Sequence, residues 1–320
     1  MNNKRQEDLK KTQEEMMQSI EKTTNDPKEL VELLAFASKY NKQYSRHNRI
    51  LLSLQGAKVV NSYKGWQDKG YHVKKGSSAL KIYVPNIYKT FMKNGKKTSI
   101  RYATKEEKEL IKSGKIKVTE KAFFRLAKCV FDVTQTDIPL EEVPKLYPNR
   151  HIDFKGLNDT EMEKINQVVL EVANEIGVSV TNDNETYIKF DGGVSKGFYI
   201  SELKLIATNP DNTKSENVKT LVHELTHAIL DTKNPNSVVK QLNIELKKES
   251  YSLGELQAEL TAYLVTSYLG LEDENETEEY LAAWTKKGEK FKALNTEEKV
   301  TIMEDILKIS DYLIEKIEER

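Results

Sequence analysis

The sequence predicts an α+β protein of two domains, the second with a helical C-terminal tail. Three observations carry this. Hydrophobic periodicity switches along the chain from helical to strand-like and back. Charge is divided: residues 41–136 hold 22 Lys and Arg against 6 Asp and Glu, a net +16, so the rest of the 320-residue chain carries −16. Three prolines fall in "DIPLEEVPKLYPNR", a natural boundary. The expected division is a polar N-terminal helix or tail over 1–26, a basic domain over 27–137, a proline-containing linker over 138–152 and a second domain over 153–320.

Residues 1–23 read as a polar helix with a weak apolar stripe (Leu9, Met16, Met17, Ile20). "TTNDPKEL" is a break and restart, with Asn25 or Asp26 as N-cap and Pro27 at the first helical position. A helix follows over roughly 27–40, with Leu30, Leu33, Leu34 and Ala37 on one face, then a second, "SRHNRILLSLQGA", ending near Gly56. "YHVKKG", "ALKIYVPNIYK" and "FFRLAKCVFDV" carry β-branched and aromatic residues around turn residues and predict strands. "TKEEKELIKSGKIK" between them reads as a mobile insertion or short helix.

Beyond the prolines, Ile165, Val168, Val169, Val172 and Ile176 keep helical spacing and Gly177 closes that helix. "VSVTN", "TYIKFDG" and "KGFYISELKLIATN" predict short strands. Thr213-x-x-Glu216 is a capping-box pattern opening a helix that contains "TLVHELTHAIL" and is stopped by "NPNS". Another helix spans about 254–269, and "TEEYLAAWTKKGE" and "TEEKVTIMEDILKISDYLIEKIEER" predict two more.

No apolar run approaches the roughly 18 residues of a membrane span, and the N-terminus shows no signal-peptide pattern, so a protein without a membrane partner is expected. A lone cysteine, Cys129, excludes an internal disulfide framework and fits a reducing, cytoplasmic setting. Any metal site is left to His and carboxylates.

His223 and His227 supply such a site. Residues i and i+4 share one helix face, so two imidazoles there can converge on one metal at roughly 2.0–2.1 Å. Glu224 lies about 100° around the helix, beside the pair, where it can take a proton from attacking water. The neighbours Leu221, Val222, Leu225, Ala228 and Ile229 are apolar, so the helix is buried, and burying two His and a Glu without partners is costly. The chemistry implied is zinc-assisted hydrolysis, with one Zn²⁺ per chain and other divalent metals left open. A third protein ligand is needed. Residues 230 and 233 are Leu and Lys, which excludes the metzincin pattern, and Asp231 lies too far along the axis. Glu255 and Glu259 in "GELQAELTAYLV" are the candidates. One could bind the metal while the other orients a ligating imidazole. Ser252-x-x-Glu255 also matches a capping box.

"VHELTHAIL" followed by "GELQAELTAYLV" resembles the zincin-type peptidase domain of the ArdC-like antirestriction proteins and, more distantly, the ImmA/IrrE metallopeptidases. The E-x-x-A-x-x-x-A motif of the latter falls on Glu255, Ala258 and Ala262, so the resemblance implies Glu255 as third ligand. "NRILLSLQ", "GWQDKGYHVKKGSSALKIYVP" and "VFDVTQTD" are similar to the ArdC-type single-stranded-DNA-binding domain. The resemblance covers about residues 30–318. No counterpart is assigned to the first 25 residues or to "TKEEKELIKSGKIK". It implies a DNA-protecting protein of a mobile element, with a protein substrate or restriction component as further partner. The rivals are an ImmA/IrrE-like protease of one repressor and a non-catalytic single-strand binder with a structural metal.

Physically, single-strand binders combine a positive groove with aromatics on which bases stack. The basic segment interleaves aromatics (Trp66, Tyr71, Tyr83, Tyr88, Phe91, Tyr102, Phe123, Phe124) with cations (Lys64, Lys69, Lys74, Lys75, Lys81, Lys93, Arg101, Arg125, Lys128), and Trp66, Tyr71, Tyr83, Lys64, Lys74, Lys75, Lys81 and Arg125 are the expected contacts. Arg46 and Asn48 start a helix, where phosphate contacts are natural. Tyr199, on a strand just before the histidine helix, is a candidate oxyanion support or a packing residue.

Overall fold

The computed structural model describes residues 2–139, 159–191, 195–246, 251–271 and 291–319. The chain is α+β and forms two compact units. One unit holds Met1–Gln13 and Val60–Asp137; the other holds Glu14–Val59 and Ile138–Arg320. No described helix is long and apolar enough to cross a membrane. Most of the linker expected over 138–152, and the helix expected in "TEEYLAAWTKKGE", lie outside the described residues.

The first unit is built on a four-stranded antiparallel sheet, ordered β1 (Val60–Ser62), β4 (Val118–Asp132), β2 (Leu80–Lys93), β3 (Lys96–Ser99). β2 and β4 are long and pair from Leu80–Val130 to Phe91–Val118. Successive side chains of a strand point to opposite faces. Ile82 and Leu126, which the register places on opposite faces, are buried at one end of this ribbon and Phe91 at the other, while Pro85–Lys89 between them are exposed. A short helix, Tyr63–Gln67, seats Trp66 under the sheet, where its indole N–H donates to the Phe131 carbonyl (2.9 Å). "YHVKKG" forms no strand. The isolated bridge Val73–Thr136, the His72 N–H donating to Asp137 and the Lys74 ammonium donating to the Thr134 carbonyl hold it, and the chain then turns at Gly76, whose φ of +88° a residue with a Cβ rarely adopts. "TKEEKELIKSGKIK" contains a helix, Lys105–Lys112, opened by a reciprocal capping box between Thr104 and Glu107.

In the second unit, α1 (Asn2–Asn25, of which residues 14–25 belong here) is followed by α2 (Pro27–Lys39) and α3 (Arg46–Leu54). Asp26 caps α2 by accepting from the backbone N–H of Lys28 and Glu29, and Pro27 takes the first helical position. The sequence reading groups residues 27–137 together, whereas α2 and α3 fall in this unit. They pack on α10 (Tyr251–Leu269) and α11 (Thr296–Glu318). Leu30, Leu34, Ile50, Leu51 and Leu52 are buried there, and Arg49 reaches Asp311 on α11 through two N–H donors.

A three-stranded sheet is ordered β5 (Ser179–Thr181), β7 (Leu205–Thr208), β6 (Gly197–Ile200), with β5 parallel and β6 antiparallel to β7. "TYIKFDG", expected as a strand, is a helix, Asn184–Asp191. Asp183 opens it by accepting from the Thr186 N–H (2.8 Å), and this local cap overrides the β-propensity of Tyr187 and Ile188. The helix α6 (Asp159–Glu175) packs on the central helix α8 (Lys214–Ile229), which also lies against β6 and β7. α6, α8 and α10 bury Val169, Val172, Leu221, Val222, Leu225 and Val265 in one core. The approach of β6 to α8 is close: a Cβ on Gly197 would sit 2.5 Å from Thr220 Cγ2.

Candidate metal centre

α8 is fixed at its start by the capping box foreseen in the sequence. The Glu216 N–H donates to Thr213 Oγ1, and the Thr213 N–H donates to the Glu216 carboxylate. Lys196 adds an ion pair to Glu216 (2.6 Å). These contacts hold Glu216 down to about 2, the Lys196 bond contributing most and the Thr213 N–H next. At the other end Asn236 donates to the carbonyls of Ala228 and Ile229.

Two turns of α8 face a cleft of about 690 Å³. His223 and His227 enter it from α8 and Glu255 from α10. Their Nε2 atoms are 3.2 Å apart, and Glu255 lies 3.2 Å from His227 Nε2 and 3.9 Å from His223 Nε2. Four ligands held tetrahedrally at 2.0–2.1 Å stand about 3.3 Å from one another. Two of the three separations match that spacing and the third is longer, and the donor set, two imidazole nitrogens and one carboxylate, suits a divalent metal. Ser252 lies inside α10, so a capping box ending at Glu255 is not formed.

Glu259, one turn beyond Glu255, faces the opposite side of the His223 ring: its carboxylate is 3.3 Å from His223 Nδ1 and 3.8 Å from the Lys219 ammonium. Burial disfavours a charged His223, but the Glu259 bond and the charges of Glu224, Glu259 and Glu255 outweigh it and raise its pKa. Glu224 is buried, at 8% exposure, yet lines the cleft. Burial lifts its carboxyl above the ordinary range; the histidines and the Tyr199 backbone N–H, which it accepts, pull the other way.

Tyr199 also lines the cleft, and its phenol donates to Asp231 (2.9 Å). Asp231 further accepts from Ser201 Oγ, Asn234 Nδ2 and the Lys233 N–H. It therefore ties the end of α8 to the strand β6. The sequence reading had set Asp231 aside as a ligand and had not assigned it this function; only the folded proximity of residues 199, 201 and 231 shows it.

The residues expected to meet nucleic acid separate into three groups. Lys64, Lys74, Lys75 and Arg125 are exposed. Lys74 also donates to the Thr134 carbonyl (3.3 Å). Tyr71, Lys81 and Tyr83 are half-buried, Tyr71 edge-on to Trp66. Trp66 itself is 1% exposed, so no base can stack on it; this corrects the expectation. Arg46 and Asn48 are corrected too: they belong to the second unit, where Arg46 binds Asp311 and Asn48 is buried. Of the interleaved aromatics, Tyr102 at 77% and Phe124 at 68% are the most exposed among the described residues of the basic unit, Tyr88 is about half exposed, and Tyr63, equally exposed, was not among the expected contacts. Lysines flank them along the chain, but exposure could not be read from the sequence.

Fold and site together describe an α+β unit with a candidate divalent-metal centre, carried on the same chain as a basic α+β unit. Comparison with known proteins agrees. Residues 183–294 match the zincin-like metallopeptidase family, and residues 6–124 match the N-terminal domain of the anti-restriction factor ArdC. The two matches follow one another along the chain, so it is similar to the ArdC N-terminal domain in its first part and to a zincin-like metallopeptidase in its second. The N-terminal match includes the early residues and the "TKEEKELIKSGKIK" segment, to which the sequence reading assigned no counterpart. An uncharacterized protein of Bacillus anthracis is 28% identical over 292 residues. That alignment spans 88% of this chain but only 47% of the relative, so the chain covers about half its length. Crystal structures of the antirestriction protein ArdC from plasmid R388, metal-free and Mn(II)-bound, are similar at 15% and 16% identity with TM-scores of 0.44 and 0.43. Each comparison covers 85% of this chain and 83% of the other.

Proposed function

We propose that the chain is a metal-dependent peptidase-type antirestriction protein that binds single-stranded DNA and protects DNA entering a cell. The observation that carries this is the convergence of His223, His227 and Glu255 at metal-ligand spacing beside the buried Glu224. The match to the ArdC N-terminal domain supports the antirestriction context, and the converging imidazoles and carboxylate support a divalent metal; zinc suits the N₂O donor set. When bound, such a cation would polarise a carbonyl and lower the pKa of water toward about 7.

The chain's own residues do the rest. Glu224 sits one residue from the ligand pair and receives a proton from the attacking water, then delivers it to the leaving amine. β6 is an edge strand, so the backbone groups on its free side can take an extended peptide across the cleft. The Tyr199 phenol, committed to Asp231, holds β6 at the end of α8 and is a positioning group.

The DNA half of the reading is supported by the charge of residues 60–137, which hold 18 Lys and Arg against 7 Asp and Glu, and by the exposed Tyr63, Tyr88, Tyr102 and Phe124. One experiment tests the whole: survival of unmodified plasmid DNA entering a restricting host that expresses the protein, with Glu224→Gln and a Lys74→Ala/Lys75→Ala double variant alongside. Loss of protection in both supports the joint function. Full protection by Glu224→Gln restricts the chain to binding, and full protection by the lysine variant removes the DNA contact from residues 74 and 75.

A further inference from the structure

We infer that Lys219 and Glu259 act as a positioning pair for His223, setting metal affinity through one imidazole from outside the three ligands. The inference rests on the metal reading above. α8 and α10 run antiparallel here, so that Glu259 stands opposite Lys219 and His223 while Glu255 stands opposite His227. An imidazole that ligates through Nε2 carries its proton on Nδ1, and an acceptor at Nδ1 fixes both tautomer and ring direction. The acceptor is in place: Glu259 Oε2 is 3.3 Å from His223 Nδ1, on the ring edge turned away from His227 and Glu255.

Glu259 is three-quarters buried, and as a second carboxylate on the His223 ring, beside Glu255, it adds negative charge to a buried site. Its other oxygen meets the Lys219 ammonium at 3.8 Å, one helical turn before His223 on α8. Lys219 thereby offsets the charge of Glu259 and holds its carboxylate against the ring. The two histidines are not equivalent: His223 is braced from behind by this pair, whereas His227 faces Glu255 itself.

The test is zinc affinity of the full chain, measured by competition with a chromophoric chelator. His223→Ala serves as the empty-site control, and the thermal midpoint of each metal-free variant checks folding. Glu259→Ala should weaken zinc binding about ten- to a hundredfold. Glu259→Gln should recover most of that loss, because its amide oxygen still accepts from Nδ1–H. Lys219→Met should weaken binding in the wild-type background and not in the Glu259→Gln background, where there is no charge left to hold. Wild type as poor as His223→Ala would overturn the metal reading itself. Tight wild-type binding with no loss in Glu259→Ala, or an equal Lys219→Met loss in both backgrounds, would overturn the pair. If Glu259→Ala fails to fold, the glutamine and methionine variants decide.

Discussion

Arg49 and Asp311, 262 positions apart, form a buried two-point ion pair: Nη1 to Oδ2 at 2.8 Å and Nη2 to Oδ1 at 3.3 Å. Both side chains are 3% exposed, and Arg49 also donates to the Ala37 carbonyl. The pair locks α3 and α2 onto α11. Removing one partner leaves the other charge buried, so Asp311→Ala should cost about 3–5 kcal/mol in urea unfolding. Replacing Arg49 and Asp311 together by Met and Leu should cost much less.

A second prediction concerns where the peptidase-type unit begins. Leu30, Leu33, Leu34, Ile50, Leu51 and Leu52 are buried in that unit although they precede the basic sheet in sequence. A chain starting at residue 153 would expose the surfaces of α10 and α11 that these residues cover. Such a chain should aggregate or bind ANS, whereas full-length protein should not. A well-folded, monomeric 153–320 fragment would show that α2 and α3 are dispensable.

These two cases mark what was legible in the sequence. His223, Glu224 and His227 were readable because their relation is local: four residues on a helix fix a shared face whatever the rest of the chain does. The caps at Asp26 and Thr213 were readable for the same reason. Glu255 and Glu259 were not separable from spacing, since both lie on one face of α10; their different contacts depend on the register of two helices. Trp66 and Arg46 were misjudged because exposure and long-range pairing are properties of the packed unit. "TYIKFDG" was misread because the Asp183 cap outweighed strand propensity. The attachment of residues 27–59 to the second unit rests on a pair separated by most of the chain, which no local pattern records.

The start of the histidine helix should be acid-sensitive. The Glu216 pKa is lowered from an ordinary 4.5 to about 2, chiefly by Lys196 and then by the Thr213 N–H. A depressed carboxylate contributes stability that is present above the unfolded pKa and lost as pH falls through the folded one. Its contribution should therefore be complete above about pH 4.5 and lost between there and about pH 2. In Glu216→Gln the thermal midpoint should be lower than wild type at pH 7 and should converge on it toward pH 2. Thr213→Ala should cost about 1 kcal/mol.

Metal retention and hydrolysis should separate. Glu224 lies next to a ligand but is not one of the three converging groups, so Glu224→Gln should keep its metal while His223→Ala and Glu255→Ala lose it. If the chain hydrolyses a peptide bond, Glu224→Gln should lower kcat by about 10²–10⁴-fold with the metal in place. Elemental analysis beside a turnover assay distinguishes this from the opposite result, in which Glu224→Gln empties the site.

The last prediction concerns the basic unit. Cations alone favour duplex DNA, whose charge is denser, whereas exposed aromatics favour unpaired bases that can stack. The unit has both: Lys64, Lys75 and Arg125 are exposed, and Phe124 and Tyr102 present most of their rings to solvent. Full-length protein should therefore bind single-stranded oligonucleotides more tightly than duplex and with little sequence preference. The logarithm of affinity should fall with the logarithm of salt by about 0.7 per phosphate neutralised. Replacing a lysine that contacts phosphate should shrink that slope, while Phe124→Ala should weaken binding by about 1–3 kcal/mol and leave the slope nearly unchanged. Trp66→Phe should reduce stability before it reduces DNA affinity, because the indole N–H is spent on the Phe131 carbonyl inside the unit. Titrations at several salt concentrations, with a thermal melt of each variant, separate the three effects. A preference for duplex, or a Phe124→Ala protein that binds as well as wild type, would leave the exposed ring without a base to stack on and the single-strand reading without its main support.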